Sequence, residues 1–339
     1  MKLIKTEEAV GHMLCHDMTQ IIPGVTKDAR FRKGHIVTEE DIPVLLSMGK
    51  ENLYIFELGA GQLHENDAAE RMCALCLNDG MRRGAVKEGK IELFAEQDGL
   101  FLIDREKLNA VNAIDELMIA TRHGDTAVHA GDKLAGTRVI PLVIDEQKLI
   151  EAERIVGDTP ILALRPFTRK RAGVVTTGSE VYHGRIEDKF TPVIERKLAD
   201  FGIAMTEHLT VDDGLDNIRA AIDRLRAADV DLILCTGGMS VDPDDNTPGA
   251  IKASGARIVT YGAPVLPGAM FLLGYFDDGR PVMGLPGCVM YAKATIFDLM
   301  LPRIAAGVEL TRRDFTTLGE GGLCLGCQPC TYPNCGFGK

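Results

Sequence analysis

The chain has 339 residues, of which 45% are hydrophobic and 26% charged, and its formal net charge is −11 at pH 7. This length predicts two or three domains and leaves room for an enzyme, whereas the acidic balance argues against a basic face that binds nucleic acid. Nine cysteines in a chain of this length indicate thiols and metal ligands and argue against a disulfide framework.

The first residues of the chain and its longest apolar run predict the cellular location of the protein. MKLIKTEEAVGHML carries charges where a signal peptide needs an apolar run, so we expect no export signal. The apolar stretch at 263–276 is interrupted by prolines and glycines and is too short to span a membrane. We therefore expect a cytoplasmic protein that contacts neither membrane nor nucleic acid.

The first 168 residues predict a mixed region. Helices are expected within 31–49 and 64–81, and a hairpin over 86–108 with its turn at 97–99. We divide this region into a small β-rich unit at 1–60 and an α+β region at 61–168.

From about residue 170 the chain alternates between short apolar runs and helical periodicity. Strands are expected at 172–177, 203–211, 231–236, 256–261 and 281–285, and helices near 191–201, 218–225, 247–254 and 289–304. This series predicts an α/β domain at 169–308, a mainly parallel sheet with helices on both faces, preceded by the smaller α+β N-terminal region.

Two glycine turns begin where predicted parallel strands end, which is where open α/β sheets bind ligands. They read TTGSE (176–180) and CTGGMSVDPDDNTPGA (235–250). Glycines let backbone N–H groups approach an anion closely, while the carboxylates Asp242, Asp244 and Asp245 repel phosphate unless a metal ion lies between. The pattern predicts a phosphorylated ligand and a divalent cation, although each glycine taken singly is accounted for by a tight turn.

The run from Gly173 to about Ala306 resembles the molybdopterin-binding domain shared by molybdopterin adenylyltransferases and molybdopterin molybdotransferases. The resemblance rests on TGSE at 177–180, the region of Asp212, TGGMSVDPDD at 236–245, PG at 267–268 and LPG at 285–287. It implies a role in molybdenum cofactor biosynthesis, with molybdopterin or adenylylated molybdopterin bound together with Mg²⁺, and favours a transferase that inserts molybdate.

The same resemblance implies the roles of individual residues and the partners. Asp245 and Glu180 would be catalytic, and Asp245 would also hold the cation. The residues that would bind the cofactor are Thr177, Gly178, Ser179, Thr236, Gly237, Gly238, Ser240, Pro286 and Gly287. A molybdoenzyme or other cofactor-biosynthesis proteins would be partners, and assembly into a homo-oligomer stays open.

Departures from the family pattern keep two alternatives open. Ser179 stands where the family has aspartate, Ala269 stands for a lysine, and Cys288 and Val289 stand for asparagine and proline. These changes are compatible with a molybdopterin sensor or carrier that has lost catalysis. The PDDNT run also resembles the related domain of competence-damage-inducible proteins, so hydrolysis of a nucleotide pyrophosphate with a bound divalent ion is the other alternative.

The end of the chain has Cys324, Cys327, Cys330 and Cys335 in the spacing C-x2-C-x2-C-x4-C. Four thiolates so close in sequence can hold a tetrahedral zinc or an iron–sulfur cluster, and we predict a metal site while leaving both species open. The alternative is a disordered tail with reducible thiols. Because 309–322 is polar, we expect 309–339 to form a linker and a tail that is independent of the α/β domain.

Overall fold

The structure is a computed structural model that describes residues 2–22, 26–55, 59–240, 242 and 245–339. The chain divides into two compact units. The first comprises residues 1–97, 102–124 and 129–164, and the second comprises residues 98–101, 125–128 and 165–339. Among the described residues, no helix combines the length and the apolar character needed to cross a bilayer.

Residues 2–165 form short strands and four helices. In chain order the elements are β1 (Lys2–Lys5), β2 (Met18–Ile22), β3 (Thr26–Phe31), α1 (Asp41–Ser47), β4 (Asn52–Ile55), β5 (Gln62–His64), α2 (Glu65–Ala74), β6 (Met81–Arg83), β7 (Lys90–Ala95), β8 (Gly99–Ile103), α3 (Arg105–Asn112), β9 (Leu117–Thr121), β10 (Thr126–Val128), β11 (Lys133–Val139), β12 (Val143–Asp145), α4 (Glu146–Val156) and β13 (Leu162–Arg165). This mixture confirms the α+β character expected for the region, whereas its division at residue 60 stays a prediction.

The largest sheet of the first unit is antiparallel, with the strand order β6-β7-β11-β9. The predicted hairpin over 86–108 is wrong, because β7 pairs with β6 and β11 whereas β8 pairs with β10. The burial patterns give the reason. Strand β7 alternates between buried and half-buried side chains, but β8 begins with three consecutive buried residues, so the two strands need different neighbours.

The second unit contains the strands and helices that the sequence predicts most clearly. They are β14 (Arg171–Thr177), α5 (Ser179–Tyr182), α6 (Thr191–Ala199), β15 (Ala204–Val211), α7 (Leu215–Ala227), β16 (Leu232–Thr236), α8 (Thr247–Ala253), β17 (Arg257–Tyr261), β18 (Leu272–Tyr275), β19 (Pro281–Leu285), α9 (Ile296–Ala305) and α10 (Arg312–Thr316).

These strands form one six-stranded sheet in the order β15-β14-β16-β19-β18-β17. The first four are parallel, which confirms the α/β prediction. Strands β18 and β17 complete the sheet in antiparallel pairing. The sequence prediction missed β18, whose short apolar run lies within the stretch that was considered only as a membrane span.

Helices cover both faces of this sheet, as predicted, because alternate strand residues point to opposite sides. On one face Val174 and Leu234 pack with α6 and α9; on the other, Val175 and Ile233 pack with α7 and α8. Both cores therefore run along β14 and β16, and they hold the ends of these two strands side by side.

Helix α9 is shorter than the helix predicted over 289–304. A 3₁₀ turn covers Gly287–Met290, and α9 begins at Ile296 after a capping box in which Thr295 and Asp298 satisfy each other's backbone N–H groups. This cap stabilises a helix start within the apolar run, and apolar periodicity alone does not locate it.

The segment 309–339 belongs to the packed structure of the second unit, in contrast to the independent tail predicted from its polar composition. Leu310, Phe315 and Phe337 are buried in the same core as α9. Leu266 N donates to Gly322 O and Cys324 N donates to Leu266 O, both at 2.8 Å, which pairs the tail with the loop before β18. A few large apolar residues outweigh the polar background of this segment.

Candidate functional site

A cavity of about 620 Å³ lies where β14 and β16 end. This volume is within the range of about 300–1,000 Å³ typical of small-ligand sites. It is lined by Thr176, Thr177, Gly178, Glu180, Val181, Ile186, Glu187, Asp188, Lys189, Phe190, Thr236, Gly237 and Met290. We refer to it as the strand-end cavity. Both glycine turns contribute to it, as expected for neighbouring parallel strands.

The glycine turn after β16 is tightly packed against the turn after β14. Gly237 has φ +83°, and a Cβ there would lie 2.4 Å from the backbone oxygen of Thr177. At Gly238, with φ +57°, it would lie 2.8 Å from the hydroxyl of Thr247. Glycine is therefore required at these positions because other parts of the protein lie close to them. The sequence alone suggests a different reason, a close approach of phosphate.

Ser179 lies directly after the first glycine turn and contacts two acidic residues that follow β15. Its hydroxyl donates to Asp212 Oδ1 at 2.8 Å and lies 2.9 Å from Asp213 Oδ2, and its backbone N–H donates to Asp213 Oδ2 at 2.7 Å. The hydrogen bond from Ser179, followed by that from the Asp213 backbone, holds the pKa of Asp212 below its ordinary value. The serine thus favours the ionised form of Asp212 and joins it to the loop of Asp213.

Asp188, on the wall of the strand-end cavity, is the centre of a second polar network. It accepts hydrogen bonds from the Thr191 hydroxyl at 2.5 Å and from the N–H groups of Phe190 and Thr191 at 2.8 and 3.0 Å. Thr176 Oγ1 lies 2.9 Å from His208 Nε2 and donates to Asp188 at 3.3 Å. Burial raises the pKa of Asp188, but these hydrogen bonds outweigh it and keep the pKa below its ordinary value.

Asp245 lies on the loop that leads from the second glycine turn into α8. Its Oδ2 accepts a hydrogen bond from Asp242 N at 3.3 Å, and its own N–H donates to Asp242 O at 3.0 Å. Burial, together with the negative charge of Asp245, raises the pKa of Tyr261, whose hydroxyl donates to Met239 O at 3.1 Å. Asp244 lies outside the described residues.

The Asp245 loop is joined to the other site loops by its next two residues. Asn246 Nδ2 donates to Asp213 O at 3.1 Å, and the buried hydroxyl of Thr247 donates to Gly237 O at 2.9 Å. These contacts hold the loop next to Asp213, which Ser179 also contacts, and next to the glycine turn at Gly237.

The residues proposed from the sequence fall into three groups. Thr177, Gly178, Glu180, Thr236 and Gly237 line the strand-end cavity, whereas Gly238 lies behind the turn, against Thr247. The rest lie outside its lining: Ser179, Ser240, Asp245, Pro286 and Gly287. Ser240 and Gly287 are exposed, Pro286 is buried, and a Cβ on Gly287 would meet no atom within 4 Å.

Sequence reasoning assigned no site role to several polar residues here, although the region of Asp212 was one of the elements of the resemblance. Asp212 and Asp213 follow β15 beside β14, and an acidic pair at the end of a parallel strand was a usable signal. Asp188 and Lys189 lie in a loop before α6, so strand and helix patterns carry no indication that they reach the cavity.

The four tail cysteines, all free thiols, line a separate cavity of about 320 Å³. Cys324 and Cys335 are half-buried, while Cys327 and Cys330 are exposed. Throughout the part of the chain that the structure describes, no group of three or more His, Cys, Asp or Glu side chains is arranged to hold a metal ion. The thiols therefore share a cavity without forming a closed coordination sphere, and Asp245 is not part of a preformed acidic cage.

Comparison with known families identifies two parts of the chain. Residues 173–306 match the family described as a probable molybdopterin binding domain. Residues 3–57 match a family described as a domain of unknown function (DUF8806).

Two curated relatives illustrate the range of similar proteins. A CinA-like protein of Mycobacterium sp. (strain MCS) is 40% identical over 78 residues, which is 23% of this chain and 18% of that protein. A molybdopterin molybdenumtransferase of Staphylococcus epidermidis is 25% identical over 301 residues, covering 84% of this chain and 66% of that protein. The chain thus spans less than a fifth of the first relative and about two thirds of the second.

Among solved structures, the molybdopterin biosynthesis enzyme MoaB of Thermus thermophilus is 19% identical, with 41% of this chain and 97% of that chain covered at a TM-score of 0.33. The order of strands and glycine turns that forms the strand-end cavity lies within the residues that the family model matches. The match to the family described as a probable molybdopterin binding domain thus includes every residue that lines the strand-end cavity.

Proposed function

We propose that the protein acts in molybdenum cofactor biosynthesis by binding molybdopterin or adenylylated molybdopterin, with Mg²⁺, in the strand-end cavity. The observation that carries this proposal is the convergence of both glycine turns on one cavity, inside the segment that matches the molybdopterin-binding family. Thr177 and Thr236 bring hydroxyl-bearing side chains to its lining, and Gly178 and Gly237 bring glycine backbone, and groups of these kinds suit a phosphate.

The charge of the cavity supports a requirement for a cation. Among its described lining residues, Glu180, Glu187 and Asp188 are acidic and Lys189 is basic. A phosphorylated ligand would meet net negative charge unless a divalent ion lay between. Mg²⁺ is commonly held by one or two carboxylates and completed by ligand phosphates and water. Asp245 would supply such a carboxylate, and a site of this kind needs no preformed cage.

Insertion of molybdate is the reaction that we favour, with Glu180 and Asp245 as the catalytic residues. Glu180 lines the cavity directly. The loop of Asp245 is held beside it through the contacts of Asn246 and Thr247. The product would pass to a molybdoenzyme or to another protein of cofactor biosynthesis.

Hydrolysis of a nucleotide pyrophosphate is the second candidate. The stretch of 40% identity with a CinA-like protein supports it, together with the PDDNT run at 243–247. A molybdopterin sensor or carrier is the third, supported by serine in place of aspartate at residue 179.

Equilibrium binding of molybdopterin, AMP and ATP to the full chain, with and without Mg²⁺, separates these functions. We expect molybdopterin to bind and Mg²⁺ to strengthen binding. Lys189→Met should weaken it, because that cation lines the cavity, whereas Lys252→Met on the exposed side of α8 should not. Binding and hydrolysis of nucleotides without pterin binding would favour the second candidate, and pterin binding without molybdate insertion the third. Failure of all three ligands to bind contradicts the assignment of the cavity.

A further inference from the structure

The cavity in the tail is lined mainly by cysteine thiols and apolar side chains. Its described lining consists of the four cysteines, apolar and aromatic side chains such as Leu323 and Phe337, glycines and one threonine. It has no residue in common with the strand-end cavity. In such surroundings the thiols are the groups able to bind a ligand strongly, and thiolates prefer soft metals.

Both ends of the segment that carries the thiols are fixed. At the first end, Cys324 N donates to Leu266 O at 2.8 Å; at the other, Gly338 N donates to Gly321 O at 2.9 Å. Between them, the hydroxyl of Tyr332 donates to Asp298 O at 3.1 Å. Because the protein fold already holds the two ends of this segment together, metal binding would not have to offset the entropic cost of closing the loop.

The four thiols differ in depth. Cys324 and Cys335 are half-buried and pack against the core of the second unit, whereas Cys327 and Cys330 are exposed. The exposed pair lies on a short loop that contains Gly326, with φ +66°. All four thiols nevertheless line one cavity, and four ligands around one centre would require this exposed loop to shift.

We infer that this cavity is a metal site in which Cys324, Cys327, Cys330 and Cys335 hold one thiophilic centre, either Zn²⁺ or an iron–sulfur cluster. This site goes beyond the proposed pterin site and does not depend on it. On binding Zn²⁺, four S–H bonds are replaced by four zinc–sulfur bonds and four protons are released, with no change of oxidation state. An iron–sulfur cluster would be delivered with its iron and sulfide already assembled and would form the same four bonds to cysteine sulfur. Metal affinity therefore falls as pH falls.

The test is metal analysis and absorption spectroscopy of the full chain, purified anaerobically without chelators. We expect either about one zinc per chain in a colourless protein or iron and sulfide in a brown one. In the loaded protein, Cys327 and Cys330 should resist alkylation and should become reactive when a chelator removes the metal.

The double variant Cys327→Ser/Cys330→Ser changes exposed side chains only, so it should keep the fold. Its metal affinity should fall at least about tenfold. Removal of a group that only hydrogen-bonds to a metal ligand already lowers affinity by that factor. Cys288→Ser is the matched control, because Cys288 is a partly exposed thiol of the same unit outside the cavity. A metal-free native protein with all four thiols open to alkylation overturns the inference, as does a double variant with native metal content. Pterin binding, measured in parallel, reports on the other cavity.

Discussion

The hydroxyl of Ser179 donates a hydrogen bond to Oδ1 of Asp212 at 2.8 Å. It also lies 2.9 Å from Oδ2 of Asp213, so that one small donor stands between two carboxylates. The molybdopterin-binding family that the sequence resembles has aspartate at this position. A third carboxylate there would repel the other two unless a cation lay among them. The serine therefore joins the two loops by hydrogen bonding at a position where a carboxylate would add a third negative charge.

Replacement of Ser179 by aspartate should make this cluster dependent on a cation. We expect Ser179→Asp to lower the melting temperature without Mg²⁺ at neutral pH, and Mg²⁺ to raise it by more than in the native protein. Ser179→Ala, which removes the donor and adds no charge, is the control and should show no added response to Mg²⁺. Thermal unfolding with and without Mg²⁺ measures the difference; equal Mg²⁺ responses in native protein and Ser179→Asp would contradict it.

Asp188 should make stability depend on acid pH. Its folded-state pKa is lowered because the hydrogen bonds from Thr191 and Phe190 outweigh burial. Its contribution is thus present above the ordinary aspartate value of about 3.9 and is lost as pH falls through the lower folded-state pKa. Asp188→Asn should cost about 1 kcal/mol at pH 7, and the difference from the native protein should shrink below about pH 4.

Urea unfolding from pH 3 to 7 measures this dependence. Asp277→Asn, in the exposed turn between β18 and β19, is the control and should leave the native profile unchanged. If the cost of Asp188→Asn stays constant across the range, the carboxylate is not held by the network described here.

Glycine is required at residue 237 by the fold and at residue 287 only if a ligand comes close. Gly237→Ala places Cβ 2.4 Å from the Thr177 backbone oxygen at φ +83°, so it should destabilise the protein by more than about 1 kcal/mol. Gly287→Ala meets no atom within 4 Å and should change the free energy of unfolding by less than about 0.5 kcal/mol. Denaturant unfolding tests both, and similar costs for the two variants would argue against this packing.

The variant Gly287→Ala then gives a clean binding test, because its fold is expected to be native. If molybdopterin phosphate approaches this backbone, the variant should bind molybdopterin more weakly. Native affinity would remove Gly287 from the binding residues.

Asp245→Ala should abolish molybdate insertion and leave most of the molybdopterin affinity intact, because we place this carboxylate on the cation. Asp242→Ala is the control, since Asp242 is the exposed partner of Asp245 in the same turn. If Asp245 serves only that turn, both variants should keep turnover and Asp245→Ala should lose about 1 kcal/mol of stability. Single-turnover activity and urea unfolding of both proteins distinguish these results.

The tail should contribute to the stability of the second unit. Phe337 is 5% exposed and packs in the core with α9, so Phe337→Ala should cost about 3–5 kcal/mol. Leu325, in the same tail but 82% exposed, is the control, and Leu325→Ala should cost almost nothing. Removal of 320–339 should likewise lower the unfolding midpoint. A truncated protein as stable as the native chain would restore the independent tail that the sequence predicts.

The sequence by itself determined the parallel strands and the glycine turns of the second unit. Runs such as LILCT at 232–236 are buried on both faces, and their apolar character is local. Turns such as TGG at 236–238 follow from backbone angles that glycine adopts readily. These features arise from neighbouring residues, which a sequence displays directly.

Tertiary structure alone decided which side chains meet. Ser179 contacts Asp212 across 33 positions, and Asp188 reaches Thr176 from a loop without a predicted element. The start of α9 depends on the Thr295 cap, and the packing of 309–339 depends on pockets that receive Phe315 and Phe337. Such contacts depend on strand order and on the shape of the two cores, because residues distant in sequence become neighbours only when the sheet has formed.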